Sequence, residues 1–122
     1  MLRFIGIAAA ALTLTFGSAF AQSTNAPLNV VATFSILGDF AKNVGGDRVR
    51  VMTLVGQNSD THVYTPTPAD AKKIADAKLV IVNGLGLEGW LPRLVKSSGS
   101  KAVTVVATKG IAARKIEDGH SH

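Results

Sequence analysis

His62 is the side chain with the clearest chemical potential, because of what surrounds it: His62-Val63-Tyr64-Thr65-Pro66-Thr67-Pro68-Ala69-Asp70. Imidazole is the commonest protein nitrogen ligand for zinc, and it suits several other first-row metals. Pro66 and Pro68 stiffen the backbone just downstream, so the ring loses little freedom on capturing an ion. A lone histidine is more often an ordinary surface residue, and composition alone would not single this one out. The other two of the three histidines stand in the terminal Asp118-Gly119-His120-Ser121-His122. Alternating histidines in an acidic, glycine-bearing tail bind zinc, nickel or copper weakly. His120 and His122 are therefore weak auxiliary candidates; an expression scar or a simple loop start is the plainer alternative.

Two further patterns invite a chemical reading and fail it. Ser59, Asp60 and His62 lie together, but a hydrolytic triad converges from separate segments, and no Gly-x-Ser-x-Gly elbow is present. An enzyme is not expected. Gly84-Leu85-Gly86-Leu87-Glu88-Gly89 spells the dinucleotide-binding pattern. It follows the third strand instead of the first, and Val103 to Lys109 lacks the acid that should sit about 20 residues downstream. These glycines are expected to serve a tight turn and close strand–helix packing, with Trp90 and Leu91 helping to cover the core.

The elements that must position His62 follow from hydrophobic patterning. Asn29 to Phe34 is a short apolar run of the kind that forms a buried parallel strand. Ser35 is placed to cap a helix whose apolar residues Ile36, Leu37, Phe40, Ala41 and Val44 share one face, and Gly45-Gly46 ends it. Val49 to Val55 is the second strand, and Gly56 to Pro66 is a polar loop carrying His62. Thr67-Pro68-Ala69-Asp70 opens the second helix: Thr67 caps, Pro68 suits the first helical position, and Asp70 answers the cap. Leu79 to Asn83 is a third buried strand, a short helix spans about Leu91 to Ser97, and Lys101 to Val106 is a fourth strand. Strands alternating with helices over short connections predict an α/β fold, a four-stranded parallel sheet flanked by helices on both faces.

Composition bounds the rest. Met1-Leu2-Arg3, the apolar stretch Phe4 to Phe16 and the small residues Ala19-Phe20-Ala21 form a secretory leader over 1–21, cut before Gln22. It is short for a membrane span, so no stable membrane insertion is expected after cleavage. Residues 22–28 are expected to be a flexible mature N-terminus, 29–107 the α/β lobe, and 108–122 a loop opening into a histidine-bearing segment. With no cysteine, there is neither a disulfide nor a lipid-modified cysteine in the sequence. The formal net charge of +5 includes Arg3 of the leader. The remaining positive residues are scattered without interleaved aromatics, so nucleic-acid binding is not supported.

The stretch from Val31 to Val106 resembles the metal-binding solute receptors of bacterial ABC importers, the zinc and manganese type. The matching residues are Ala32-Thr33-Phe34-Ser35-Ile36 with Gly45-Gly46-Asp47, then His62-x-Tyr64-x-Pro66-Thr67-Pro68-x-Asp70. Further on come Ala75-Asp76-Ala77-Lys78-Leu79-Val80 and Asn83-Gly84-Leu85-Gly86-Leu87-Glu88-Gly89-Trp90. The resemblance implies two α/β lobes joined by a long helix with the metal between them, this chain supplying the N-terminal lobe. It implies that His62 is the first metal ligand and that the tail resembles the start of a histidine-rich loop. A later histidine, and a His or Glu and an Asp from the second lobe, have no counterpart here.

The function expected on that basis is a periplasmic solute-binding component that takes up zinc, with manganese the alternative, and passes it to a membrane permease. The chain is expected to stop short of the remaining ligands, so His62 alone would not make a tight site. The competing expectation is a non-transporting gene remnant, or a small exported lobe that binds a partner. Tyr64 is expected to pack the loop and not to touch metal. Asp60 is a candidate to support the imidazole, with plain solvent exposure the alternative. Thr61 adds no ligand that would discriminate between ions.

Overall fold

The computed structural model describes residues 26–115. The expected leader and the tail with His120 and His122 lie outside the described residues. Strands β1 (Leu28–Phe34), β2 (Val49–Val55), β3 (Leu79–Val82) and β4 (Val103–Val106) alternate with helices α1 (Ser35–Gly45), α2 (Pro68–Asp76) and α3 (Leu91–Ser98). A single 3₁₀ turn, Gly46–Arg48, follows α1. All strand pairs are parallel, in the order β2-β1-β3-β4. The chain thus leaves β1 toward one edge and returns to its other side at β3. This creates a switch point at the carboxyl ends of β1 and β3, where open α/β sheets place their ligands.

Register decides which side chains meet. Val31 stands opposite Met52 on one neighbour and Val80 on the other. Val31, Val80 and Val82 therefore project to one face, where they pack with Leu54, Ile74, Ala77, Leu91 and Leu94. Ile74 of α2 is fully buried, and α2 packs on α3 over this face. Burying side chains of this kind stabilises the fold by about 1.5–3 kcal/mol each.

The opposite face is covered over only half its width. Helix α1 lies on β1 and β2, close enough that a Cβ at Gly38 would collide with the Thr53 methyl. Leu37 is buried there and Ala41 half-buried. Ile36, Phe40 and Val44, expected to join them, are instead 57, 61 and 90% exposed. Helical spacing put these positions on one stripe, but α1 meets the sheet along Leu37, Gly38, Ala41 and Gly45. An apolar groove of about 330 Å³ remains, lined by Phe40, Val44, Leu79 and Ile81 among others. The fourth strand expected over Lys101 to Val106 forms as Val103–Val106, and each of its residues is exposed. β4 is an edge strand, and no described helix covers that half of the sheet.

Local signals hold at most boundaries. Gly46, at φ +51, ends α1 in a conformation that non-glycine residues rarely adopt. Ser35 does not cap this helix as expected: it is the first helical residue, Phe34 occupies the cap position, and no side chain bonds the free amides. Thr67 does cap α2, with a complete capping box and Pro68 in the first turn.

Candidate metal centre

His62 sits on the loop between β2 and α2, at the carboxyl end of the sheet. Its backbone N–H donates to Asp60 Oδ1 at 2.8 Å, which closes a local turn. The same carboxylate oxygen lies 3.4 Å from the ring Nδ1, and the His62 and Asp60 side chains are 68 and 61% exposed. The imidazole therefore faces solvent with one nitrogen turned toward a carboxylate. A carboxylate beside one ring nitrogen favours the proton there and leaves the other nitrogen free to bind a cation.

The backbone on both sides of His62 is tied to the body of the lobe. Upstream, the Trp90 indole N–H donates to the Thr61 carbonyl at 2.7 Å. Downstream, the Tyr64 ring meets Trp90 edge-on with centroids 5.1 Å apart, and its hydroxyl donates to Asp70 Oδ2 at 2.7 Å. The Tyr64 hydroxyl is thus engaged inside the lobe.

Asp70 is buried and accepts from the Thr67 amide at 2.9 Å and the Thr67 hydroxyl at 3.0 Å, with Lys73 Nζ 3.6 Å away. Burial alone would raise its carboxyl. The hydrogen bonds from the Thr67 amide, the Tyr64 hydroxyl and the Thr67 hydroxyl, with the Lys73 charge, outweigh that and hold it below its ordinary value. Burial, the hydrogen bond to Asp70 and the Asp70 charge together push the Tyr64 phenol up to about 12.

The Gly-rich loop after β3 is occupied by its own carboxylate. Glu88, buried at the switch point, accepts from the Asn83 amide at 2.6 Å, the Gly84 amide at 3.1 Å and the Thr33 hydroxyl at 2.6 Å. Successive amides of this kind form a cradle for an anion, and here the anion is internal. A Cβ at Gly84 would come within 2.5 Å of Val106, and its φ is +84, so glycine is required on both counts. Leu91 enters the core and Trp90 packs beside it, as the sequence led us to expect.

Sequence reasoning found His62 and its neighbours Asp60 and Tyr64, but not the residues that hold them. Trp90 and Glu88 carry no metal-site signal, since they bond to backbone groups and to the distant Thr33 hydroxyl, which no local pattern pairs with them. Asp70 was legible as a helix cap but not as the partner of Tyr64. Among the described residues no three His, Cys, Asp or Glu side chains converge on a metal-sized site. His62 and Asp60 are the pair that stands together; His120 and His122 lie outside the described residues. No described helix is long and apolar enough to cross a membrane.

Comparison with known proteins follows the same line. Residues 30–122 match the family model described as zinc-uptake complex component A, periplasmic. A manganese ABC transporter substrate-binding lipoprotein of Streptococcus gordonii is 33% identical, over 99% of this chain and 42% of its own length. A manganese-bound periplasmic metal-binding protein of Candidatus Liberibacter asiaticus superposes with a TM-score of 0.67 at 36% identity, over 75% of this chain and 35% of that one. The Zn(II)-bound AdcA of Streptococcus pneumoniae gives a TM-score of 0.59 at 34% identity, over 67% of this chain and 18% of that one. The chain spans about two fifths of the gordonii relative's length and less of the solved ones.

Proposed function

Because this chain belongs to the zinc-uptake complex component A family, we propose that it forms the metal-presenting lobe of a solute-binding receptor that captures zinc and delivers it to the permease of an ABC importer. The observation that carries this reading is the exposed His62 imidazole, held at the ligand-binding rim of an open α/β sheet by a loop fixed on both flanks. His62 binds the ion through the neutral ring nitrogen that does not face Asp60, and Asp60 orients the ring.

Zinc sites use three or four protein ligands. His62 therefore supplies one part of the site, and the other ligands come from outside the described residues. The rim closes when those ligands meet the same ion. Zinc is favoured over manganese because imidazole suits borderline metals, while manganese sites lean on oxygen donors. The named relatives include manganese proteins, so manganese is the alternative cargo. His120 and His122 add a weak auxiliary site. The protein works in the periplasm after its leader over 1–21 is removed, and it performs no covalent chemistry.

Calorimetric titration of zinc and of manganese into the chain, its His62→Ala variant and a form lacking residues 119–122 tests this reading. Loss of zinc binding in His62→Ala, with the shortened form little changed, supports it. If removing the tail abolishes binding while His62→Ala does not, the rim carries no metal and the reading fails.

A further inference from the structure

The loop that carries His62 has few anchors of its own. Gly56 to Ser59 are exposed; besides the local Asp60 turn and the Tyr64–Asp70 bond, the backbone around His62 is held by the β3–α3 connection. The Trp90 N–H reaches the carbonyl of Thr61, the residue immediately before His62, across 29 positions of sequence. The Trp90 ring also braces Tyr64, two residues after His62. Trp90 in turn follows Glu88, whose carboxylate is pinned by the Asn83 and Gly84 amides and the Thr33 hydroxyl at the ends of β1 and β3. Hydrogen bonds at Glu88 and at Trp90, two residues apart in the chain, thus connect the switch point of the sheet to the peptide before the candidate ligand.

We propose that Trp90 is the positioning residue for metal capture at His62, with Glu88 as its anchor; this rests on the reading of His62 as a ligand. A metal site loses affinity when its ligand must be ordered at the moment of binding. Here the indole N–H, a donor with a single direction, fixes the Thr61–His62 peptide before the ion arrives. The aromatic contact does the same for the segment after it. The Tyr64–Asp70 bond ties that segment to α2 as well, but it leaves the Thr61 side unrestrained. Trp90 touches both sides.

Two properties of the chain make the assignment testable. Trp90 is the one tryptophan, so indole fluorescence reports this contact without a label. His62 is one of three histidines, and the substitutions His120→Ser and His122→Ser isolate it. In that background, zinc is titrated into the parent, Trp90→Phe, His62→Ala and Val95→Ala, with melting temperatures measured alongside. The weak binding of a single imidazole is followed through the His62 ring resonances. A parent whose His62 ring does not respond to zinc overturns the proposal. Trp90→Phe keeps an aromatic ring beside Tyr64 and removes the indole donor, together with part of the ring area, whose packing cost the melting temperatures report. Groups that orient a metal ligand typically change affinity by about 10- to 100-fold; a contact made through the neighbouring peptide belongs at the low end, about tenfold. Amide exchange at His62 and Val63 should also accelerate in Trp90→Phe. Val95→Ala, on the following helix α3 and away from the loop, should lower the melting temperature and leave zinc affinity unchanged. Zinc affinity in Trp90→Phe within about twofold of the parent, while His62→Ala abolishes binding, overturns the proposal and spares His62. Unchanged binding in His62→Ala overturns the underlying reading instead. Should Trp90→Phe fail to fold, the parent decides: zinc must alter Trp90 emission in a His62-dependent way, and silent emission on zinc binding overturns the proposal.

Discussion

The Tyr64 hydroxyl donates to Asp70 Oδ2 at 2.7 Å, joining the segment after His62 to the residue that opens α2. The same oxygen accepts both polar groups of Thr67, so one buried carboxylate serves as helix cap and as loop anchor. Local helix chemistry and candidate-site geometry therefore share an atom.

Stability should fall at both ends of the pH scale through this pair. The Asp70 carboxyl is lowered in the folded state, so its contribution is present above the ordinary value of 3.8 and is lost as pH falls through the folded value. The Tyr64 phenol is raised, so its contribution is full below 10.0 and is lost as pH rises through about 12. Urea unfolding across pH should show an acid limb that Asp70→Asn flattens and an alkaline limb that Tyr64→Phe flattens.

Glu88→Ala should destabilise the fold by about 3 kcal/mol, because it strands two amides and a buried hydroxyl. Chemical denaturation measures the loss. The exposed pair Lys72–Asp76, 3.0 Å apart within α2, offers the contrast: Lys72→Ala should cost no more than about 0.5 kcal/mol.

Gly38→Ala should cost about 1–3 kcal/mol, since its new methyl meets the Thr53 Cγ2 where α1 crosses β2. Thr53→Ser removes that methyl. The double variant should recover most of the loss, and a double-mutant cycle of melting curves reads the coupling.

Leu85 holds φ +56 in the loop after β3 and is 63% exposed. Left-handed backbone costs such a residue about 1 kcal/mol, and asparagine tolerates it better. Leu85→Asn should raise stability by about 0.5–1 kcal/mol while leaving zinc affinity unchanged, as thermal denaturation and calorimetry would show.

Much of this molecule was legible from short-range pattern. The limits of β2, the capping box at Thr67 and the stop at Gly45-Gly46 appear as expected. Each depends on residues within a turn or a strand of one another. Where a local rule had competition, it misled: Ser35 has a good capping side chain, yet α1 begins one residue too early for it to cap. Ile36, Phe40 and Val44 have the right spacing for a core face, but spacing states only that they share a stripe.

What the sequence by itself determined was the alternation of strand and helix and the presence of an imidazole on the loop after β2. Periodicity, capping and turn chemistry are encoded by near neighbours, so they survive without knowledge of the fold. Tertiary structure decided which half of the α1 face stays open, that Glu88 fills its own glycine loop, and that Trp90 reaches Thr61 from 29 positions away. Those outcomes depend on strand order and on backbone groups that carry no residue signature. A hydrogen bond to a peptide carbonyl is assigned only when the chain brings donor and acceptor together.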